Sequence, residues 1–465
     1  MLMGDEHRRD ALGCMGHRVV RTSHLDALAA RGALFERAYT PSPICVPARA
    51  ALATGQHVHR SGHWDSAGPY AGSPQSWMHA VRARGVETVS FGKLHFRSSA
   101  DDNGFVREVL PMHVAGGRGW TFGLLREEPP SYAAAADLAA DVGAGESDYT
   151  RYDRAVTAAA VDWLAERRRG EPWAAFVSLV APHYPLRAPE AFFALYDPDA
   201  LPPPLAGRPD HPELGHLASF YDYQRHFDAA GVRRARAAYF ALVSFLDDCL
   251  GRVLAALEAS GQAEETLVVY LSDHGEMLGD FGLWTKSVMY EASAGVPLLL
   301  AGPGVPAGRR VATPASLLDL APTAAALFGA EDFLAGLPGS ALTALASAAA
   351  DPGRTAFSEY HDGGSSTAAY LVRWADWKYV HYVGLPPQLF DLAADPAETR
   401  DLGRAEAPAA VAARAEGLRR LRAICDPEAV NAEAFEDQRR RIAALGGAEA
   451  CRASAFGHTP VPDAV

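Results

Sequence analysis

Cysteine is scarce in this chain. Five residues in 465, at positions 14, 45, 249, 425 and 451, form an odd and irregular set. They make no disulfide framework, and no CxxC pair marks a zinc site, so the expectation is a reducing compartment, the cytoplasm. Positive charge is also short: 43 Lys and Arg stand against 56 Asp and Glu, a formal net charge of −13. That balance excludes a general nucleic-acid-binding or anionic-membrane surface. No apolar run is long enough to span a bilayer, no signal peptide is visible, and no internal repeat recurs. What remains is a globular composition, 49% apolar, with length for one large domain and a smaller one. In so acidic a protein, a cluster of Arg, Lys and His reads as a local anion pocket.

The densest chemistry lies at Pro43–Arg49, in the run CVPARAALATGQHVHRSG that starts at Cys45. A free Cys is most often an inert buried thiol. Here Pro47 and Arg49 follow it, and small residues over Ala50–Thr54 open a helix whose N-terminus offers N–H groups to an anion. Three strand ends carry similar signals. Val86–Phe91 runs into Gly92-Lys93-Leu94-His95, which points Lys93 and His95 to one side. Trp173–Val180 delivers His183 between Pro182 and Pro185. Thr266–Leu271 ends in Ser272-Asp273-His274-Gly275, with Lys286 thirteen residues beyond Asp273. Adjacent Asp and His, with a Gly to turn the chain, can both face a metal ion. Read singly, Lys93 is a solvated lysine, Asp273 a helix cap and His274 a packed ring. Asp5, after the apolar stub Met1–Met3, stands where ligands gather in an open α/β sheet, a position that equally suits a helix cap.

Taken together these motifs resemble the type I sulfatases of the alkaline phosphatase superfamily, nearest the branch of choline sulfatases and phosphonate monoester hydrolases. The resemblance implies that Cys45 is oxidised to formylglycine by a formylglycine-generating enzyme and hydrated to a gem-diol. One hydroxyl would attack sulfur and the other would expel sulfate, so that one hard step becomes two easier ones. It implies one divalent ion held by Asp5, Asp273, His274 and the Cys45-derived oxygen. Ca²⁺ is the first expectation, with Mn²⁺ or Mg²⁺ as alternatives. Arg49, Lys93 and Lys286 would bind the sulfate, His183 and Lys286 would serve the departing oxygen, and His95 would take the proton of the second hydroxyl. Ser66 stands where related branches carry Asn, Glu6 where many carry a second Asp. Ser66, Glu359 and His361 are expected substrate contacts. In phosphonate monoester hydrolases the Lys93 and His95 positions tend to be Tyr and Thr, which favours sulfate here. The implied partner is a small sulfate ester, with a homo-oligomer left open. The alternatives are a phosphonate monoester hydrolase or phosphodiesterase with the same site, and a non-catalytic binding protein with unmodified Cys45.

The implied fold is α/β: an alkaline-phosphatase-like central mixed sheet flanked by helices, with a small C-terminal α+β subdomain. The expected divisions are a catalytic domain over 1–350, a subdomain with a small antiparallel sheet over 351–424 and a tail over 425–465. Helices are predicted over 25–35 with a stop at Gly32, from Ser73-Pro74 to Gly85, over 148–169 and over 232–260. The stretch 111–130 reads as a loop at the rim, 201–226 as irregular, and the tail as one short helix over 434–443 and a loose end. The three-residue stub before Gly4 is short for a strand of about 5–6 residues. It implies a late start codon or a short central strand, and an upstream segment would carry any targeting signal.

Overall fold

The computed structural model describes residues 1–127, 132–168, 170–207, 210–453 and 458–462. An eight-stranded mixed sheet forms its centre. The strands are β1 (Leu2–Asp5), β2 (Ala33–Phe35), β3 (Glu87–Lys93), β4 (Arg107–Met112), β5 (Trp173–Pro182), β6 (Val268–Ser272), β7 (Leu298–Ala301) and β8 (Arg309–Val311). In space they lie in the order β8-β2-β7-β6-β1-β5-β3-β4. β7 runs antiparallel to β2 and β6, and the other pairings are parallel. The stub β1 is thus a short central strand, with Leu2 opposite Val177 on one side and Tyr270 on the other.

The strands are apolar on both sides because both faces are covered. On β6, Val268 and Tyr270 join a core with helices α1 (Ser23–Ala30), α3 (Asp148–Ala165) and α5 (Ala229–Ala259). The alternate residues, Val269 and Leu271, join the opposite core, which includes Ala50, Leu52 and Ala53 of α2 (Cys45–Thr54). This is the period-two alternation of a sheet buried on both faces. A second sheet, β9 (Ala356–Tyr360), β10 (Ala369–Trp374), β11 (Trp377–Tyr382) and β12 (Gln388–Asp391), is antiparallel in sequence order. Its Phe357, Tyr370 and Leu389 share a core with Val58, Trp64 and Leu318, which docks it on the main body.

Several boundaries differ from the sequence expectation. α1 ends at Ala30, and residues 33–35 form β2 instead of continuing the helix. Gly32 allows this because a Cβ there would lie 2.1 Å from the Leu300 carbonyl oxygen of β7. The helix expected from Ser73 begins at Trp77, and Ser76 caps it by accepting the His79 N–H. The stretch expected to be irregular holds α4 (Pro212–Tyr221), opened by a proline in its first turn. The tail and the stretch before it hold two long helices, α6 (Pro408–Ile424) and α7 (Pro427–Ala444), then a short one at Ala448–Arg452. α7 escapes a hydrophobicity reading because its buried side is only Pro427, Val430, Ala434 and Gln438. Residues 128–130 of the expected rim loop, Arg169 of the expected helix 148–169 and residues 454–457 and 463–465 of the tail lie outside the described residues. Among the described residues no helix is long and apolar enough to cross a membrane.

Candidate active site

The metal-ligand candidates, Arg49, Lys93 and His183 arrive at carboxyl strand ends or at the start of α2. Asp5 closes β1, Lys93 closes β3, and Asp273 and His274 follow β6. Cys45 is the first residue of α2 and Arg49 lies one turn on. Ligand atoms of Asp5, Cys45, Asp273 and His274 all fall within 4.8 Å of one another, and all four residues are buried. The Cys45 Sγ is 3.0 Å from His274 Nε2 and 3.7 Å from Asp5 Oδ1. Burial, then the neighbouring Asp5 carboxylate, pushes the Cys45 thiol well above its ordinary pKa, so as a bare thiol it is a poor nucleophile.

The charges are balanced by three cations. Arg49 gives Nε to Asp273 Oδ2 at 2.7 Å, Nη2 to Asp5 Oδ2 at 2.7 Å, and Nη1 to the Lys93 carbonyl and the Ser178 hydroxyl. The Lys93 ammonium is 2.7 Å from Asp5 Oδ2. Burial alone would raise the Asp5 pKa, but Lys93 and Arg49 hold it well below the usual carboxylate range. Lys286 donates to Glu6 Oε2 at 2.9 Å and lies 3.0 Å from His183 Nε2. The His183 Nδ1 lies 2.6 Å from the Tyr184 carbonyl, which fixes the proton there and leaves Nε2 as an acceptor. Burial and then Lys286 keep His183 neutral. His95 is also held neutral, by burial and Lys93, and neither of its ring nitrogens has a protein partner.

These groups line one cleft. Cys45, Ser66, Lys93, His95, His183 and Lys286 form its polar floor. Trp120, Tyr132, Tyr149, Tyr184 and Tyr221 form aromatic walls. Four expected contacts sit differently. The four Arg49 bonds turn it inward to the acids, and it is not among the cleft-lining residues. Ser66 reaches the cleft, but its hydroxyl is spent on Asp362 Oδ2 at 2.5 Å. Glu359 and His361, expected as substrate contacts, are fully buried and are not among the described residues that line the cleft. Glu359 accepts the His59 N–H at 3.0 Å and pairs with the rings of His59 and His361 at 2.9 and 3.0 Å. It pins the turn after α2 to β9. The sequence reading noted Glu6 without giving it a role, and passed over the tyrosines of the walls and Asp153. Asp153 on α3 accepts the N–H groups of Val180 and Ala181 at 2.7 and 2.8 Å, just before the His183 loop. Only the tyrosine spacing around residues 221–223 and the Asp5-Glu6 doublet hinted at them.

The donor set fits a divalent ion. Two carboxylates and an imidazole converge in a buried cluster, and the outer nitrogen of His274 is committed to the Gly275 carbonyl at 3.0 Å, which turns Nε2 inward. A sheet flanked on both faces, with acids, a histidine and a helix-borne cysteine at its carboxyl edge, defines an alkaline-phosphatase-like hydrolase. The chain belongs to the sulfatase family: the family model described as Sulfatase matches residues 1–330, and that of the N-sulphoglucosamine sulphohydrolase C-terminal region matches 279–423. It is 34% identical to the choline-sulfatase of Rhizobium meliloti (strain 1021), over 90% of this chain and 85% of that protein. It is 33% identical to arylsulfatase K of Danio rerio, over 83% and 76%. Among solved structures, the phosphonate monoester hydrolase of Agrobacterium radiobacter superposes with a TM-score of 0.72 at 26% identity, over 93% and 95% of the two chains. The protein is a sulfatase-family hydrolase.

Proposed function

We propose that the protein hydrolyses sulfate monoesters with Cys45, matured to formylglycine, as its nucleophile. The observation that carries this reading is the convergence of Cys45 with Asp5, Asp273 and His274 beneath Lys93 and Lys286. The hydrated aldehyde supplies two hydroxyls on one carbon, one to attack and one to discharge the product. A hard divalent ion held by Asp5, Asp273 and His274 supplies Lewis-acid charge.

The remaining work belongs to the chain's own residues. Lys93 and Lys286 face the cleft and neutralise the anionic ester, with charge that is already in place before it binds. Arg49 keeps the two carboxylates fixed and ionised. His183 Nε2 accepts from Lys286, so the pair is placed to pass a proton toward a departing oxygen. His95, neutral and without a protein partner on either ring nitrogen, is placed to accept one.

A second reading, phosphonate monoester hydrolysis at the same groups, draws on the 26% identity to solved phosphonate monoester hydrolases. The test begins with the mass of the tryptic peptide containing Cys45, from protein made together with a formylglycine-generating enzyme. A loss of roughly 18 Da against the thiol supports the covalent nucleophile. Rates on an aryl sulfate and an aryl phosphonate monoester then decide between the two readings. An unmodified thiol, with no release from either ester, would sink both.

A further inference from the structure

The described residues 458–462 bring two side chains back to the cleft. His458 and Thr459 both line it, and Thr459 lies 310 residues along the chain from its partner Tyr149. Three contacts seat them. Tyr149, in the first turn of α3, donates its hydroxyl to the Thr459 carbonyl at 2.6 Å. The His458 ring meets the Tyr149 ring edge-on, with centroids 5.2 Å apart. Val461 packs against the apolar cluster that holds Leu2, Tyr149 and Tyr152. Thr459 is buried, whereas His458 is exposed at the rim. Tyr149 also stands edge-on to His183 at 6.1 Å, so one tyrosine joins the tail to the histidine beside Lys286.

The facing walls are rings, Trp120, Tyr132 and Tyr221, and no carboxylate is among the described residues that line the cleft. A cationic alcohol would find ring faces but no carboxylate, above a floor that already carries the Lys93 and Lys286 ammonium groups, whereas a flat uncharged one would stack on the same rings without that repulsion. His458 and Thr459 complete the lining of the same cleft. We infer that His458 and Thr459, held by Tyr149, form the specificity wall that closes the cleft around a single-ring, uncharged alcohol half. This rests on the proposed ester hydrolysis, and it assigns to His458 and Thr459 a selective role apart from the Cys45 cluster.

The test compares 4-nitrophenyl sulfate with the two-ring 4-methylumbelliferyl sulfate on the matured full-length enzyme and on His458→Ala and Tyr149→Phe. Wild type should favour the single ring in kcat/KM. His458→Ala should move the ratio toward the two-ring ester by about tenfold, the scale of a lost pocket contact, and Tyr149→Phe should move it the same way by less. Binding of the two free phenols to unmatured protein, measured by calorimetry, should shift in parallel and needs no turnover. Ratios that stay within about twofold of wild type in both assays would overturn the wall, since real pocket contacts exceed that. A wild-type preference for a quaternary-ammonium alkyl sulfate would overturn the uncharged class. Absence of sulfate release with the binding shift intact would sink the hydrolase reading and leave the wall standing.

Discussion

The Arg49 guanidinium joins Asp5 to Asp273, with Nη2 and Nε each 2.7 Å from one carboxylate oxygen. All three side chains are almost wholly buried. The bridge holds two like charges side by side before any ion arrives. Removing one partner of such a set leaves buried charge uncompensated, a cost of about 3–5 kcal/mol. Arg49→Ala should lose stability on that scale in urea unfolding. Arg49→Lys should lose nearly as much, because a point ammonium lacks the planar fork that reaches both acids. Added divalent cation should restore part of the loss in Arg49→Ala. A loss below about 1 kcal/mol, the range of an exposed pair, would show that the acids do not depend on Arg49.

The metal expectation has a readout that does not involve catalysis. An ion that binds only the folded state stabilises it by about 2.7 kcal/mol at a hundredfold excess over its Kd. Unfolding of chelator-treated wild type should therefore shift upward on titration with Ca²⁺ or Mn²⁺. His274→Ala keeps both carboxylates but lacks the inward Nε2, and its shift should need a far higher ion concentration. Equal titration curves for the two proteins would remove His274 from the ligand set.

Asp153 predicts a pH dependence with a definite sign. Burial lifts its pKa to about 7, although the Val180 and Ala181 N–H groups pull the other way. Between about pH 4, where an unfolded Asp titrates, and pH 7, the folded state holds a proton that the unfolded state has released. Its contribution is therefore full below pH 4 and is lost as pH rises through that window. Asp153→Asn cannot titrate. The stability of wild type relative to Asp153→Asn should fall from pH 4 to pH 7 by up to about 4 kcal/mol, at 1.36 kcal/mol per unit. A flat difference across urea unfolding curves at pH 4, 5, 6 and 7 would contradict it. Other titrating groups cancel in that difference.

Much of the floor of the site was legible because its motifs are local. Lys93 and His95, or Asp273 and His274, sit within a few residues at the end of an apolar strand, and strand ends converge in this type of sheet. The strands that deliver Asp5, Lys93, His183 and Asp273, and a small antiparallel C-terminal sheet, followed from the same apolar and alternating runs, whereas β2, β4 and β8 did not. What stayed hidden depends on contacts distant in sequence. Arg49 was expected to face the ester, and only the positions of Asp5, Asp273 and Ser178 reveal that its donors are spent inward. Glu359 and His361 sit at the end of β9 as expected, yet the helix turn at His59, 300 residues away, buries them. α7 has a buried stripe too narrow to register, although its Gln438 and Arg441 hold Asp65 next to Ser66 at 2.8 and 2.7 Å. Such polar anchoring leaves no hydrophobic period to read.

Lys286 separates a binding role from a proton-transfer role. Its ammonium lies between Glu6 Oε2 and His183 Nε2 at 2.9 and 3.0 Å, and it also stands over the Tyr184 ring at 4.7 Å. Burial opposes the charge, but Glu6 and the other nearby anions raise the Lys286 pKa well above its ordinary value, so it is charged throughout the working range. If it stabilises the departing oxygen, its loss should cost most where that oxygen is most basic. For Lys286→Ala, kcat should fall by about 10²–10⁴ on an unactivated aryl sulfate, the range of one positioned proton donor, and by much less on 4-nitrophenyl sulfate. Lys286→Arg should recover the binding charge without recovering that leaving-group dependence. A plot of log kcat against the phenol pKa would therefore steepen in both variants. Parallel lines, displaced but with the wild-type slope, would assign Lys286 to sulfate binding alone and leave the departing oxygen to His183.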